Sequence, residues 1–281
     1  MTSSDGIATN ETASIAGTDF GIVRTLDPYG RQVGLSVDGM PDTAIAYATN
    51  GLIAAISNDE CHVEYLYDAI GGDVGYVLTL SNSVAFTRSL TRHAYLRDEI
   101  LSVVNACGTD TNRYDYTYDA LHRPISRNAD TFAYNRRGEV SSATVAGQSA
   151  AYAYDFIGNF TSATEGGAMT TYGANELNQY ETVTEPDATL EPTYTPNGEL
   201  ASFGEWTYVY DALSRLTEVR SNDILVASNS YDHQGRRVRL VTQTAAHTFI
   251  YDGWNVVLEL VEHDGVTDRI EYYWGRDLSG T

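Results

Sequence analysis

The chain is short of the residues that mark several common protein classes. Its 281 residues include two cysteines, Cys61 and Cys107, three methionines, and 17 basic residues against 38 acidic ones. Two thiols cannot define a disulfide framework and match no metal-ligand spacing, so each is expected to be a small buried hydrophobe. The formal net charge of −21 argues against nucleic acid as a partner, because phosphate binding needs clustered cations to release counterions. An anionic membrane surface would repel it as well. No apolar run approaches the ~18 residues of a membrane span. The opening MTSSDGIATNETASIAG lacks the basic and apolar regions of a signal peptide, which predicts a chain that is cytoplasmic as made, or exported by a route that needs no cleaved signal, or a fragment whose true start is missing. The acidity itself reads as a solubility device, with an acidic surface that holds basic protein cargo as the sharper alternative.

Catalytic signatures are equally scarce. The six histidines form no H-x-x-x-H or H-E-x-x-H pattern, so no metal ligands are indicated. His122 and His233 fall where turns are expected, and His263-Asp264-Gly265 also reads as a turn. There is no G-x-S-x-G elbow, phosphate loop or G-x-G-x-x-G. Glycosidase chemistry needs two carboxylates facing across a cleft, and the aspartates here recur at turn positions that already account for them. The nine-residue calcium repeat is absent. No catalytic, cofactor-binding or metal-binding residue is therefore assigned, and the expectation is a chain that is not an enzyme and needs no cofactor. Asn10-Glu11-Thr12 and Asn159-Phe160-Thr161 are formal glycosylation acceptors without further support.

What the chain does have is tyrosine, 21 residues against seven phenylalanines, and 24 glycines. Aromatic and β-branched residues suit strands, and glycine suits the turns between them. A tyrosine followed by a turn recurs: Tyr67-Asp68 with Gly71, Tyr118-Asp119, Tyr134-Asn135, Tyr154-Asp155 with Gly158, Tyr194-Thr195, Tyr210-Asp211, Tyr231-Asp232 with Gly235, and Tyr251-Asp252. Weaker copies read at Tyr29, Tyr47, Tyr95 and Tyr172, with a last anchor at Tyr273. From Tyr118 to Tyr273 the steps are 16, 20, 18, 22, 16, 21, 20 and 22 residues. Two short strands and two turns fill such a step, whereas helical repeats are longer.

The motif has a mechanical reading. An aspartate after the tyrosine accepts a bond from an N–H two residues on, and glycine three residues later supplies a positive φ cheaply. His122 and Ser214 stand in the glycine place after Asp119 and Asp211, so those two turns should be looser or of another type. Strands entering the turns alternate with period two: Tyr114, Tyr116 and Tyr118 share a face, as do Tyr152 and Tyr154, and Trp206, Tyr208 and Tyr210. Stacked repeats would set these rings in a ladder. The ladder reads either as packing, with hydroxyls bonded to neighbouring backbone, or as an aromatic face for sugar rings, with Tyr114, Tyr152, Trp206 and Tyr208 as the glycan-facing candidates.

These residues resemble the YD repeats of Rhs proteins, which also occur in teneurins and in the B and C components of insecticidal toxin complexes. The resemblance covers residues 20–281. Tyr251-Asp252-Gly253-Trp254-Asn255 and the stretch from Arg269 to Thr281 resemble the opening of the Rhs-associated core, so that 251–281 forms a terminal sub-segment and 1–19 a polar, poorly ordered lead-in. The resemblance implies an all-β fold of tandem hairpins in a curved, spiralling sheet that forms part of a shell or solenoid. It implies a structural role, enclosing or presenting a C-terminal toxin or effector, and partners that are this cargo or further repeats. It also implies secretion or surface display by a non-classical route. The family's aspartyl autoprotease motif lies beyond Thr281 in such proteins, and Asp277 is not assigned that role. A carbohydrate- or cell-surface-binding module is the alternative, and a glycosidase on a β-solenoid the remote one. Residues 98–106 fit a short helix by pattern, but strands fit better in this context. A partial strip also leaves open sheet edges, which predicts self-association.

Overall fold

The computed structural model describes residues 7–15, 18–80, 83–96 and 98–275. Within these the chain is all β: 27 strands of two to ten residues, paired antiparallel with their sequence neighbours in two sheets. Residues 100–107 form a strand, not a helix. The polar lead-in lies partly outside the described residues; between its masked parts Ile7–Ile15 form a strand paired with Thr18–Leu26. The end of the core-like stretch, from Arg276 on, also lies outside them.

Most alternate connections are the same five-residue turn; the exceptions are the longer loop His93–Glu99 and the two-residue turn between Asp252 and Asn255. Tyr154 pairs with Phe160 across Asp155–Asn159, and Tyr134 pairs with Val140 across Asn135–Glu139. In each case the register slips at the residue before the turn, between Ala153 and Tyr154 and between Ala133 and Tyr134. The same slip marks Leu26, Tyr47, Tyr67, Tyr118, Ala174, Tyr194, Tyr210 and Tyr251. A bulge leaves one residue of the return strand unpaired and turns the strand end. Tyrosine holds the bulge place at eight of these ten positions, and Leu26 and Ala174 hold it at the other two.

The chain divides into two compact units, Met1–Arg113 with Ser230–Thr281, and Tyr114–Asn229. The first has a hydrophobic core built from both of its sequence segments: Phe20, Ile22 and Val37 pack with Ile250, Val257 and Leu258, flanked by Leu35, Met40 and Leu260. Fully burying such side chains contributes about 1.5–3 kcal/mol each. The second unit is organised differently. Among its residues Val183 is the buried hydrophobe, and most strand side chains alternate between half-buried and exposed, as in Asp130–Tyr134 and Gln148–Tyr154. Cross-strand rings carry much of its packing. Tyr154, Phe160, Tyr172 and Tyr180 form a chain of ring contacts at 5.0, 5.9 and 5.2 Å, and pairs of this kind contribute roughly 0.5–1.5 kcal/mol beyond burial.

Candidate functional site

The recurring side chains meet in a clamp at each five-residue turn. The backbone closes first: the Asp119 N–H donates to the Arg123 carbonyl at 3.0 Å, and the His122 N–H to the Asp119 carbonyl at 3.0 Å. One carboxylate oxygen of Asp119 then accepts the N–H groups of Leu121 (2.8 Å) and Arg123 (3.1 Å). The other accepts Arg123 Nε at 2.8 Å. The same arrangement joins Asp27 to Arg31, Asp211 to Arg215 and Asp232 to Arg236, with Nε–Oδ2 distances of 2.8, 2.7 and 2.7 Å. Asp155 uses Asn159 in place of the arginine, at 2.8 Å. Asn135 and Asn175 offer the same amide-accepting oxygen, paired with Glu139 and Gln179. Asp68 accepts the N–H groups of Ile70 and Gly72.

These bonds favour the ionised form of the aspartates. The Arg123 and Arg215 side chains hold the Asp119 and Asp211 carboxyls below their ordinary value of 3.8, helped by the turn amides. Asn159 does the same for Asp155. At Asp27 and Asp232 burial pushes the other way, and the bonds from Arg31 and Arg236 overcome it.

The arginine then reaches the next repeat. Arg31 lies over the Tyr47 ring at 4.3 Å, Arg123 over Tyr134 at 4.5 Å, and Arg236 over Tyr251 at 5.0 Å. Each of these tyrosines donates its hydroxyl to the carbonyl just after that arginine: Tyr47 to Gln32 (2.9 Å), Tyr134 to Pro124 (2.7 Å) and Tyr251 to Arg237 (2.7 Å). Tyr67, Tyr154 and Tyr194 donate to the equivalent carbonyls of Ile53, Val140 and Tyr180. Tyr180 instead accepts the Phe160 N–H at 3.0 Å. At the Tyr231 repeat the Asn229 amide donates to Leu216 O at 3.0 Å. Burial pushes the Tyr47, Tyr154, Tyr210 and Tyr251 hydroxyls above their ordinary range. At these three turns aspartate, arginine and tyrosine link one repeat to the next.

The chain contains no lysine; all 17 basic residues are arginine. Only a planar fork can bond a carboxylate sideways while stacking flat on a ring. That composition was a readable signal for the clamp.

Several positions differ from the sequence reading. Tyr29 and Tyr95 do not end strands; each lies inside a turn and is exposed. Leu26 and Arg92 occupy the bulge place there, before Asp27 and His93. At Tyr172 the bulge residue is Ala174 and the turn begins at Asn175. His122 and Ser214 do not loosen their turns. Both adopt the left-handed backbone, with φ of 62° and 60°, and keep the same hydrogen bonds as the glycine copies, because the aspartate clamp fixes the loop around them. Asp252 heads a shorter turn, paired with Asn255, and its carboxylate takes Arg24 from strand Thr18–Leu26.

The four glycan-facing candidates, Tyr114, Tyr152, Trp206 and Tyr208, are all half-buried. Tyr152 donates to Glu165 at 2.9 Å, and Arg127 lies 5.9 Å from the Tyr114 ring centre. In the first unit, two features were missed. Glu259 is buried between His247 Nδ1, at 2.6 Å, and the Tyr272 hydroxyl. A cavity of about 550 Å³ is lined by Leu35, Ile45, Ile56, Trp254, Tyr272 and Trp274 among others. Among the described residues no group of three or more His, Cys, Asp or Glu side chains is placed to hold a metal ion, and no helix is long and apolar enough to cross a membrane.

Residues 27–256 match the Teneurin YD-shell family model. No curated protein matches the chain. Among solved structures, a crystal structure of TcdB2-TccC3-TEV aligns at 11% identity and a TM-score of 0.49, over 85% of this chain and 17% of that one. A Photorhabdus luminescens Tc holotoxin pore aligns at 14% identity and a TM-score of 0.45, over 93% of this chain and 17% of that one. The chain thus spans 17% of the length of either structure. The family match opens at Asp27, the first clamp aspartate, and closes just past Asp252, so it coincides with the relay of turns, and the chain belongs to the Teneurin YD-shell family.

Proposed function

We propose that this chain is a length of shell wall, without enzymatic activity, that encloses or presents an effector carried C-terminal to it. The observation that supports this reading is where the recurring polar groups go. The Asp, Arg and Tyr side chains that dominate the sequence bond one another and the neighbouring backbone, turn after turn. Their chemistry is spent on holding a continuous array over 20–281, of which 251–281 opens the core. Its partners are the downstream effector or further repeats, and its destination is outside the cell by a route without a cleaved signal. Reading the coding sequence beyond Thr281 tests this. A core motif followed by an effector domain supports it, and a stop codon with no such region in any frame contradicts it.

Glycan binding is the second reading, favoured by the half-exposed rings of Tyr114, Tyr152, Trp206 and Tyr208. A glycan array gives signal that falls on Tyr208→Ala if it holds, and background only if it does not.

A further inference from the structure

We propose that the clamp-turn rim of the second unit is a self-association surface, on which a second copy of this chain packs rim to rim about a two-fold axis. The axis runs between the turns that begin at Asp155 and Asn175. The inference rests on the turn geometry and not on the shell reading.

The tip of each clamp turn is the residue two after its first, whose N–H donates inward to the Asp or Asn side chain. A hairpin tip is its most solvated point, where polar residues are expected. In this unit the tips are Leu121, Ile157, Leu177 and Leu213, joined by Phe156, and they are between 68% and 100% exposed. The turn residues of the opposite rim include Asn128-Ala129, Ala146-Gly147, Gly166-Gly167 and Asn222-Asp223, small or polar, and its exposed apolar side chains stand in the flanking strand ends at Val145, Met169, Ile224 and Leu225, 39% to 62% exposed. The two rims therefore differ at their tips, where the clamp-turn rim alone is apolar and more fully exposed, and that rim has no cover in the unit.

The order of tips names the partner. Along the rim the six clamp turns present Leu121, Arg137, Phe156 with Ile157, Leu177, Asn197 and Leu213. That sequence, apolar, polar, apolar, apolar, polar, apolar, is the same read from either end. Same-rim turns recur every two strands, about 9–10 Å apart, and a row with this period fits best against a row of equal period. Turned end for end, a second copy places Leu121 on Leu213, Ile157 on Leu177, and the Asn135 turn on the Thr195 turn. This is the self-complementary patch that a two-fold dimer requires.

The exposed area suffices. Five exposed apolar side chains at roughly 100 Å² each supply about 500 Å² per copy. The two rims together then reach about 1,000 Å², the lower bound for a specific interface. A net charge of −21 opposes the approach of copies, and so do Asp155 and the exposed Glu176 in the two turns at the axis, whereas the first and last tips are locally neutral, since Asp119–Arg123 and Asp211–Arg215 pair internally. The exposed Arg136 of the second turn falls opposite the turn that carries Glu199.

Sedimentation velocity of the intact chain at rising concentration tests this. The wild type and I224D, a change on the opposite rim, should dimerise alike, and the I157D/L177D variant should stay monomeric with an unchanged circular dichroism spectrum. In a C107S background, an equal mixture of I157C and L177C chains should form disulfide-linked dimers on oxidation, at least several-fold more than either chain alone. A wild-type monomer at every concentration, a dimer that survives I157D/L177D, or equal cross-linking by the single variants alone would overturn the proposal. A dimer that survives I157D/L177D would place association at the open sheet edges instead.

Discussion

Arg24 pairs its guanidinium with the carboxylate of Asp252, 228 residues further along the chain. The other clamp aspartates with arginine four residues on are satisfied within their own turn. Asp252 is followed at that place by Val256, so it turns to a strand from the other segment of its unit. The pair sits beside the core where Ile22 meets Ile250 and Leu258, and both side chains are mostly buried.

Breaking that pair should loosen the join between the two sequence segments of the first unit. Arg24→Ala is expected to lower stability by about 1–3 kcal/mol, the range for a hydrogen bond to a charged group. Asp252→Ala should cost a similar amount, and the double variant clearly less than the sum of the two. Urea denaturation measures this. Additive losses, or losses under about 0.5 kcal/mol, would mean the two side chains do not act as a pair.

Arginine cannot be exchanged for lysine in the clamp. Lysine keeps the charge at Arg123 or Arg236 but loses both the sideways fork on the aspartate and the flat contact with Tyr134 or Tyr251. Arg123→Lys and Arg236→Lys should each cost on the order of 1 kcal/mol. The partly exposed Arg220, which bonds Glu218 and the Asp223 carbonyl, should tolerate the same change within about 0.5 kcal/mol. Thermal melts of the three variants give the comparison, and equal shifts in all three would remove the stacking contribution.

The left-handed turn position sets a second contrast. Gly235 has φ of 86° with open space where a Cβ would stand, so Gly235→Ala pays only the backbone penalty, about 1–2 kcal/mol. His122 already pays it at φ of 62°, and His122→Gly should gain stability or leave it unchanged. A gain for Gly235→Ala in denaturant titration would show that the turn has another conformation.

Stability should peak in mildly acidic solution. The clamp carboxyls of Asp119, Asp155 and Asp211 are held below 3.8 when folded. Their contribution is complete above that value and is lost as pH falls through the lowered folded values. His263 is raised above 6.5, first by its hydrogen bond to Asp268, so its contribution is complete below 6.5 and is lost as pH rises through the raised value. Unfolding midpoints recorded from pH 3 to 9 should therefore be highest between about 4 and 6.5. A midpoint that rises steadily on acidification below 4 would contradict the clamp.

Much of the architecture was legible because its signals are local. The tyrosine period, the aspartate that starts each turn and the strand alternation around Tyr114 and Tyr152 all lie within a few residues of each other. What escaped reading depends on register or on distance. A bulge can be seated by Leu26 or Ala174 as well as by tyrosine, since the position is defined by pairing and not by the ring, and this displaced the copies placed at Tyr29 and Tyr172. The relay of Arg123 onto Tyr134 joins neighbouring repeats, and Arg24–Asp252 joins opposite ends of the chain, so neither has a local spacing. His122 and Ser214 misled because the clamp outweighs the preference for glycine. The buried contact of His247 with Glu259 follows from strand pairing, in which Phe249 faces Glu259 and His247 lies two residues away on the same face.

Amide hydrogen exchange over residues 114–229 of the intact chain tests most directly whether the recurring side chains hold the wall together. The N–H groups of Asp119, Asp155 and Asp211, and those two and four residues after each, should be protected as strongly as the adjoining strands, because each donates to a partner within the clamp. Protection should therefore recur through the turns at steps of 16 to 20 residues. Protection confined to the strands, with turn amides exchanging at the rate of an unfolded chain, would contradict a wall held by its turns.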